Sequence, residues 1–480
     1  MQLDPSFAAW RVTHRAGLAA VLGLLAACQS LTVGHEGFDV EVTESTVYTT
    51  LPANNGAGPL WDFNATNIAR IGDTVWVSGL NTVAGLPPLN NTECNLWKKT
   101  ADAAWEQVVT LPGLTREPCP MGVLPGQRLI ISTNATLNPP GKPGGGPAQP
   151  GLWEATPAAG FDAPAITQPG WRPAAGAFTE HSYRSLAVDG QRGEVFVMQN
   201  VGNNHAEWAF RDTLGTWSAQ GRLDWPVKDI NGRAMPLRVC YVVALVKDRA
   251  VHLLGVSDVV EPNEDWREFK RKLTGRSWDY VFRNLYYTWT PDVTSVPFRP
   301  WLEVASREAT AGGVEPGDLW LDKSGFLHMV WGEVALDNRL RDRLFPHQKQ
   351  RREINYGVIR DGVVLRKTTL LATQEGQPGP AAHAPRFHVT PDDRVFIFFY
   401  VNTMEGSSQK FSENRLAELK NNRMENMIRL PLSTPLNHYL ISSGRFGNKS
   451  SIVLDVLGSA PGADEVVRHA RLRINSRQPK

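Results

Sequence analysis

A short motif recurs along the chain: an apolar run, a tight turn rich in Gly, Asp, Asn or Pro, and a second apolar run. Such a motif predicts a β-hairpin, because these residues accept the backbone angles that a tight turn requires. Seven copies follow one another, with their turns spaced by about 55 to 75 residues. The turns lie at 72–73, 125–126, Gly190, 247–248, 323–324, 392–393 and 448–449.

A second set of apolar runs, most of them carrying Trp or Tyr, lies between these hairpins. Two hairpins per period make a four-stranded unit, so seven periods predict an all-β fold, a seven-bladed β-propeller with four-stranded blades. The 480-residue chain has 16 Trp, 42 Gly and 34 Pro, which suits many short strands joined by turns. A pair of β-sandwiches is the alternative, but the pattern runs from about residue 60 to 470 without a central linker.

Domain boundaries follow from this pattern. We expect the propeller to span residues 56–475, preceded by a linker and first strand over 29–55. Three segments, at 261–285, 336–353 and 412–427, carry the dense charge of solvated helices and predict short helical insertions.

The N-terminus predicts export. Basic residues precede an apolar run over 16–27, which is too short to span a bilayer as a mature helix. The run ends in small residues before Cys28, an arrangement that resembles the lipobox of bacterial lipoproteins, whose cysteine is lipidated. An ordinary secretory signal is the alternative. We therefore expect residues 1–28 to be a signal peptide, and the mature protein to be secreted or lipid-anchored at the bacterial cell envelope.

Charge and cysteine content narrow the partners and the compartment. A formal net charge of +2 lacks the basic bias of nucleic-acid-binding proteins, so we expect no nucleic-acid partner and a membrane contact only through the lipid anchor. In an oxidising compartment, Cys94 and Cys119 predict a disulfide. Cys240 lies in a buried-strand pattern and is expected to act as a small hydrophobe. We expect a monomer with no required cofactor, and leave a structural calcium or zinc ion open.

Polar residues at the ends of predicted inner strands are the functional candidates, because inner strands of a propeller surround its central channel. Arginines from three different blades can together hold an acidic sugar. Each candidate also has a structural interpretation, as a core aromatic or an ion pair between blades. The candidates are His181, Tyr183, Arg184, His205, Glu207, Arg238, Tyr241 and Arg386.

The stretch FRDTLGTWS, residues 210–218, resembles a stretched Asp-box, the turn found in the BNR repeats of sialidase-type propellers. The match rests on Asp212, Gly215, Thr216 and Trp217, with one extra residue between Asp and Gly. In that family the box is a structural turn and not the catalytic site.

Residues 178–260, which include HSYRSLAVD, NNHAEW and RVCYVVALV, resemble the seven-bladed propeller polysaccharide lyases of the ulvan-lyase type. In those enzymes two histidines from one blade, a tyrosine from the next blade and an arginine line the cleft, and an acidic polysaccharide is cleaved by β-elimination. The resemblance implies catalytic roles for His181, His205 and Tyr241. Tyr183, Arg184, Arg238, Glu207 and Arg386 are then the candidate substrate-binding residues.

The arginine departs from the family pattern. The lyases place it beyond the tyrosine, at the end of that hairpin, where this chain has Ser257 and Asp258. Arg238 at the strand start is one alternative, and Arg267 or Arg276 in the following insertion is another.

Elimination next to a uronate gives these residue types a use. A cationic group must neutralise the carboxylate, a base must take the proton at C5, and an acid must protonate the leaving oxygen. We therefore expect an exported enzyme that cleaves a uronate-containing polysaccharide, with or without sulfate groups, by β-elimination. Two alternatives stay open: a sialidase-like glycoside hydrolase that uses three arginines as a carboxylate clamp, and a non-catalytic propeller that binds a glycan or a protein.

Overall fold

The computed structural model describes residues 31–477 except 36, 62–63, 102, 162–163, 172–175 and 231. The predicted signal peptide, including Cys28, lies outside the described residues. Within them, seven antiparallel sheets form a seven-bladed β-propeller of four-stranded blades. Two of the sheets gain a fifth strand, in blade 7 and in blade 2, where Phe178–Thr179 pairs with the third strand. The predicted fold class is confirmed.

Six blades take their strands in chain order from the centre of the ring outward. Blades 1 to 3 contain Ile68–Ile71, Thr74–Thr82, Thr92–Thr100, Glu106–Thr115; Met121–Leu124, Arg128–Thr136, Pro147–Ala155, Ala165–Thr167; and Arg184–Asp189, Glu194–Val201, His205–Arg211, Trp217–Asp224. Blades 4 to 6 contain Val239–Lys247, Ala250–Ser257, Asn284–Thr290, Leu302–Ser306; Ala311–Leu321, Leu327–Leu336, Arg351–Arg360, Val363–Gln374; and Pro380–Val389, Val395–Thr403, Ser412–Lys420, Arg423–Arg429.

Short helices and strands lie in the connections between the blade strands. Helices α1 (Glu264–Thr274) and α2 (Asn338–Leu344) lie in the insertions of blades 4 and 5. The remaining strands and 3-10 turns are Pro157–Ala159, Phe178–Thr179, Val227–Ile230, Arg233–Pro236, Val259–Val260, Tyr280–Val281 and Glu308–Thr310.

Blade 7 closes the ring with strands from both ends of the chain. From the centre outward it contains His438–Ile441, Val453–Ala460, Ala463–Ser476, Phe38–Thr49 and Leu31–His35. The strand Phe38–Thr49 lies before the boundary expected at residue 56, yet it pairs along its length with the C-terminal strand, with Val42 opposite Leu472. The N-terminal strands are therefore part of the propeller.

A buried ionic contact ties blade 7 to blade 1. Asp455 accepts hydrogen bonds from Arg70 Nε at 2.6 Å and from His469 Nε2 at 2.9 Å. Burial opposes the charge of Asp455, but these hydrogen bonds overcome it and lower the pKa of the carboxyl group to about 2. The carboxylate therefore stays charged at neutral pH and links the closing blade to its neighbour.

Residues 442–452 form a central plug. This segment joins the first two strands of blade 7. The seventh of the predicted hairpin turns, at 448–449, is therefore wrong, because the residues just before it belong to the plug and not to a strand. The plug contacts the inner strands of all six other blades, at Arg70, Val123, Val188, Ala244, Asp318 and His388.

The prediction of a third helical insertion, over residues 412–427, is also wrong. Residues 412–427 form the antiparallel strands of blade 6 instead of a helix, and Asn421 and Asn422 make the turn between them at φ 53° and 59°. Two consecutive residues with positive φ fit a two-residue hairpin turn, which asparagine tolerates. The charged residues of this segment alternate along strands, so their density carries no helical signal.

The two outer cysteines lie together in the core. Cys94 and Cys119 are both buried in the same core cluster, and the structure has them as free thiols. The disulfide between them stays a prediction. Cys240 is fully buried in the inner strand of blade 4, as its pattern suggests.

Two buried histidines predict a loss of stability in mild acid. Burial lowers the pKa of His252 and of His388 to about 4, whereas both titrate near pH 6.5 in the unfolded chain. Below about pH 6.5 the unfolded state binds protons that the folded state does not, so the free energy of unfolding falls as pH is lowered to about 4, by roughly 3 kcal/mol for each histidine.

Urea unfolding midpoints measured between pH 7.5 and 4 test this expectation. His388 donates from Nε2 to the carbonyl of Ser451 in the plug at 2.8 Å, a bond that a glutamine amide can replace. His388→Gln should therefore flatten the pH dependence. An unchanged slope in that variant would contradict the assignment.

Candidate active site

Four aromatic side chains meet at one end of the central channel. Trp61 lies before the inner strand of blade 1, His181 and Tyr183 lie directly before that of blade 3, and Tyr241 lies in that of blade 4. Their ring centroids are separated by 5.6 Å for Trp61 and His181, 5.2 Å for Trp61 and Tyr183, and 5.0 Å for Tyr183 and Tyr241. We call these four residues the funnel cluster. Aromatic and imidazole groups from three blades thus share one surface.

Tyr241 has an unusual backbone. Its φ is +50°, and it lies where the pairing between the first two strands of blade 4 shifts register, between Cys240 and Val243. Such a bulge re-aims a side chain, and a left-handed conformation costs a non-glycine residue about 1 kcal/mol or more. The strain is held by Asn64, whose side-chain amide donates to the Tyr241 carbonyl.

Asn64 also joins the funnel cluster to the plug. Its carbonyl accepts from Arg445 Nη2 at 3.4 Å, and Arg445 Nε pairs with Asp318 at 2.6 Å. Phe446, the next residue of the plug, is fully buried. Below the cluster, the plug therefore forms a packed surface, the floor of the funnel, in which the charge of Arg445 is compensated by Asp318.

His181 is oriented by a buried carboxylate. Its Nδ1 lies 2.6 Å from Glu117 Oε1, and the second oxygen of Glu117 accepts from the backbone and the hydroxyl of Ser182 at 2.9 and 2.8 Å. Glu117 is 2% exposed, while 37% of the His181 side chain is open. With Nδ1 engaged by the carboxylate, Nε2 is the ring nitrogen that is left to meet a ligand.

Arg238 lies between two tyrosine rings. Its Cζ is 5.2 Å from the centroid of Tyr183 and 5.3 Å from that of Tyr280. Nη2 donates to Asp258 at 2.9 Å, and Nη1 donates to the side chain of Asn203. The guanidinium is buried, and its stacking attaches the blade 4 insertion to the funnel cluster.

The two phenols of the cluster differ in environment. Burial raises the pKa of the Tyr183 phenol well above its ordinary value, so this group stays protonated and acts as a hydrogen-bond donor. Both tyrosines are partly exposed, but Tyr241 is the one that lies at the bulge. Of the two, Tyr241 is better placed to exchange a proton with a ligand.

His205 and Glu207 form a separate pair. His205 Nε2 lies 2.9 Å from Glu207 Oε1, at the start of the third strand of blade 3. The candidate residues were expected at the ends of the inner strands, whereas this third strand lies further from the central channel. The preceding turn holds Asn203, which contacts Arg238. The structure therefore brings His205 next to the supports of the funnel cluster rather than into it.

The predicted arginine clamp does not form an open surface. Arg184 is buried and donates to the carbonyls of Ser132, at 2.8 Å, and Pro118. Arg386 is buried in blade 6, where it donates to the Pro385 carbonyl and lies 5.9 Å from the Tyr439 ring centroid. Both guanidinium groups bind backbone carbonyls, which fits the structural interpretation of an arginine at a strand start.

The two alternative arginines lie in the insertion of blade 4. Arg267 is on α1 and pairs with Glu264 at 3.8 Å, and Arg276 follows α1 at an exposed position. The contacts of neither one reach the funnel cluster. Arg238 is the arginine that touches it.

Sequence reasoning missed Trp61, Asn64 and Glu117. Glu117 lies in the connection between blades 1 and 2, and Trp61 and Asn64 lie in the segment before blade 1. The feature that could have identified these residues is their position, since each lies in a connection that leads into an inner strand. None of them has a polar neighbour at a spacing that indicates a site.

The turn at 212–216 has the geometry expected of a carboxylate-capped turn. Asp212 Oδ1 accepts from the backbone amides of Leu214 and Thr216 at 2.9 and 3.0 Å, and Gly215 has φ +81°. The turn lies between the outer strands of blade 3, away from the inner strands. Its membership of an Asp-box repeat is not shown.

No group of three or more His, Cys, Asp or Glu side chains suited to a metal ion occurs among the residues that the structure describes. A structural calcium or zinc ion stays a prediction. In the same part of the chain, both helices are too short and too polar to cross a bilayer.

A scan against protein-family models and a search of curated proteins both give no match. Solved structures are similar over most of the chain. An ulvan lyase bound to a GlcA–Rha3S ligand gives a TM-score of 0.48 at 7% identity and covers 91% of this chain and 95% of its own. The polysaccharide lyase Uly1 gives 0.47 at 11% identity, covering 85% and 90%. An α-L-arabinanase from Penicillium chrysogenum gives 0.40 at 9% identity, covering 92% and 98%.

At identities this low the likeness concerns the overall fold alone.

Proposed function

We propose that the protein is a carbohydrate-active enzyme that cleaves an acidic, uronate-containing polysaccharide by β-elimination. The observation that carries the proposal is the funnel cluster, in which a partly exposed imidazole backed by a buried carboxylate and the Tyr241 phenol both pack against Trp61 and Tyr183. His181 Nε2 would bind and neutralise the uronate carboxylate, which acidifies the proton at C5. Tyr241 would take that proton and return one to the leaving oxygen.

The other groups support this pair. Tyr183 donates a hydrogen bond to the substrate, and Trp61 offers a flat apolar face to a sugar ring. Arg238 is held by Asp258 and Asn203, so it fixes Tyr183 more than it meets the substrate. His205 does not contact the substrate in this proposal. It supports Arg238 indirectly, through the turn that carries Asn203.

The surrounding carboxylates favour elimination over hydrolysis. Glycosidases of the usual type present two carboxyl groups to the substrate. The carboxylates that the described contacts bring to the cluster are Glu117 and Asp258, which are both buried and engaged with His181 and Arg238. They serve to orient the cationic groups.

We also propose that the enzyme is exported and acts as a monomer, either secreted or held at the cell envelope through Cys28. The support is the basic and apolar pattern of residues 1–28. Labelling with a fatty-acid analogue in a bacterial host, with Cys28→Ser as the control, tests the anchor.

The assay for elimination is the near-ultraviolet absorbance of unsaturated uronyl ends, followed with a panel of uronate polysaccharides. We expect His181→Ala to lower kcat/KM by about 100-fold or more, because it removes the group that stabilises the developing enolate. The matched control is His438→Ala, since His438 also pairs with a carboxylate, Asp464 at 3.1 Å, but is exposed on blade 7. That variant should keep full activity.

Two other results would replace the proposal. New reducing ends without absorbance would identify a hydrolase. Binding of a glycan by the unmodified protein without any turnover would identify a non-catalytic propeller.

A further inference from the structure

An exposed tryptophan stands on a fixed loop beside the site. Residues 275–280 follow α1, and we call them the rim loop. Within it, 72% of Trp278 is exposed, as is 41% of Tyr280. Single exposed apolar residues are common on protein surfaces, so exposure alone does not make a site.

The rim loop is held from below. Asp279 lies 2.5 Å from Nζ of the fully buried Lys270 and accepts from Arg339 Nη1 at 2.9 Å. Lys270 also pairs with the buried Glu261 at 2.7 Å. Tyr280 pairs as a strand residue with Val260. Trp278 therefore projects from a loop whose next two residues are anchored, and little conformational freedom remains to be lost when a ligand binds.

The rim loop is continuous with the funnel cluster. Tyr280 stacks on Arg238, and Arg238 stacks on Tyr183. Aromatic rings and one guanidinium thus form a path from Tyr241 in the funnel to Tyr280 on the rim, two residues after Trp278. Arg276 lies exposed within the rim loop, so this end of the path carries a cation, while Lys272 on α1 pairs with Glu268 at 3.5 Å.

We propose that Trp278 and Tyr280 form an outer subsite that binds one sugar unit of an acidic polysaccharide while another unit occupies the funnel. The apolar C–H face of a pyranose ring packs on an aromatic ring, and Trp and Tyr offer large rigid faces with few rotatable bonds. The neighbouring cations suit the carboxylate or sulfate groups of such a chain. The inference rests on the proposed function for the unit in the funnel, and it adds the place where a second unit of the same polymer binds.

The test compares Trp278→Ala with Leu214→Ala, in the full protein. Leu214 is the matched control because it is 89% exposed but lies in the outer turn of blade 3. The probes are the polymer that the unmodified protein cleaves best and the shortest oligosaccharide of that polymer that it still cleaves. We expect Trp278→Ala to raise KM for the polymer about tenfold with little change in kcat, to leave the short oligosaccharide unaffected, and Leu214→Ala to change neither.

Affinity electrophoresis in gels containing each polymer of the panel separates this inference from the elimination itself. If no polymer is cleaved but one retards the unmodified protein and not Trp278→Ala, the subsite stands and the lyase proposal fails. If Trp278→Ala cleaves and binds the polymer as the unmodified protein does, the subsite is overturned and the lyase proposal stands. If no polymer retards or is cleaved by the unmodified protein, both are overturned.

Discussion

Tyr241→Phe should abolish formation of unsaturated uronyl ends while leaving the fold and substrate binding intact. The hydroxyl is the group that we expect to move a proton in the transition state, and positioned proton transfer contributes about 100- to 10,000-fold to a rate. Phenylalanine keeps the ring that packs against Trp61 and Tyr183 at 5.5 and 5.0 Å. The loss should therefore appear in kcat, with KM changed by less than about threefold.

The matched control is Tyr400→Phe. Its hydroxyl also makes a side-chain contact, with Ser412 at 3.1 Å, but it belongs to blade 6 and has no part in the funnel cluster. Turnover by Tyr241→Phe at the rate of the unmodified protein would exclude the phenol as the proton carrier. His181 would then be the remaining candidate for that role.

The propeller could be predicted because its signal is local. Each hairpin turn needs Gly, Asp or Asn at positions with unusual backbone angles, and these residues are visible in the sequence, as at Asp393 with φ 62° and Asp248 with φ 48°. The same rule could have identified the turn at Asn421 and Asn422. In that segment the density of charged residues suggests a helix, although the two asparagines are typical of a hairpin turn.

The ring closure and the plug could not be predicted, because their contacts are long-range. Alternating apolar residues show that 38–49 is able to form a strand, but not that its partner lies over 463–476. The plug contacts inner strands of six blades, each from a different part of the sequence. No local pattern specifies such a set of partners.

The candidate site divides in the same way. His181, Tyr183 and Tyr241 were expected near one another because they begin inner strands of adjacent blades, and the structure places them together. The arginines were expected there for the same reason, yet Arg184 and Arg386 turn to backbone carbonyls. The start of an inner strand predicts where the backbone of a residue lies in the ring. The direction of a long arginine side chain depends on which hydrogen-bond acceptors surround it in the folded protein.

Gly447→Ala should be the most damaging single-methyl change in the propeller. Gly447 lies in the plug with φ +79°, and a Cβ atom there would lie 1.9 Å from the carbonyl oxygen of Val123. That oxygen belongs to the backbone of blade 2, whose amide is already bonded to the Phe446 carbonyl at 2.8 Å, so it has little room to move. We expect the free energy of unfolding to fall by about 2 to 5 kcal/mol, from left-handed strain together with overpacking.

Gly462→Ala separates these two causes. Gly462 has φ +74°, close to that of Gly447, but no heavy atom lies within 4 Å of its added Cβ. This variant should show the backbone strain alone, about 1 to 2 kcal/mol. Urea unfolding of both variants measures the difference. Equal losses would mean that the plug yields easily to the added methyl group, whereas a larger loss at Gly447 would show that the plug is a rigid part of the core, on which the floor of the funnel depends.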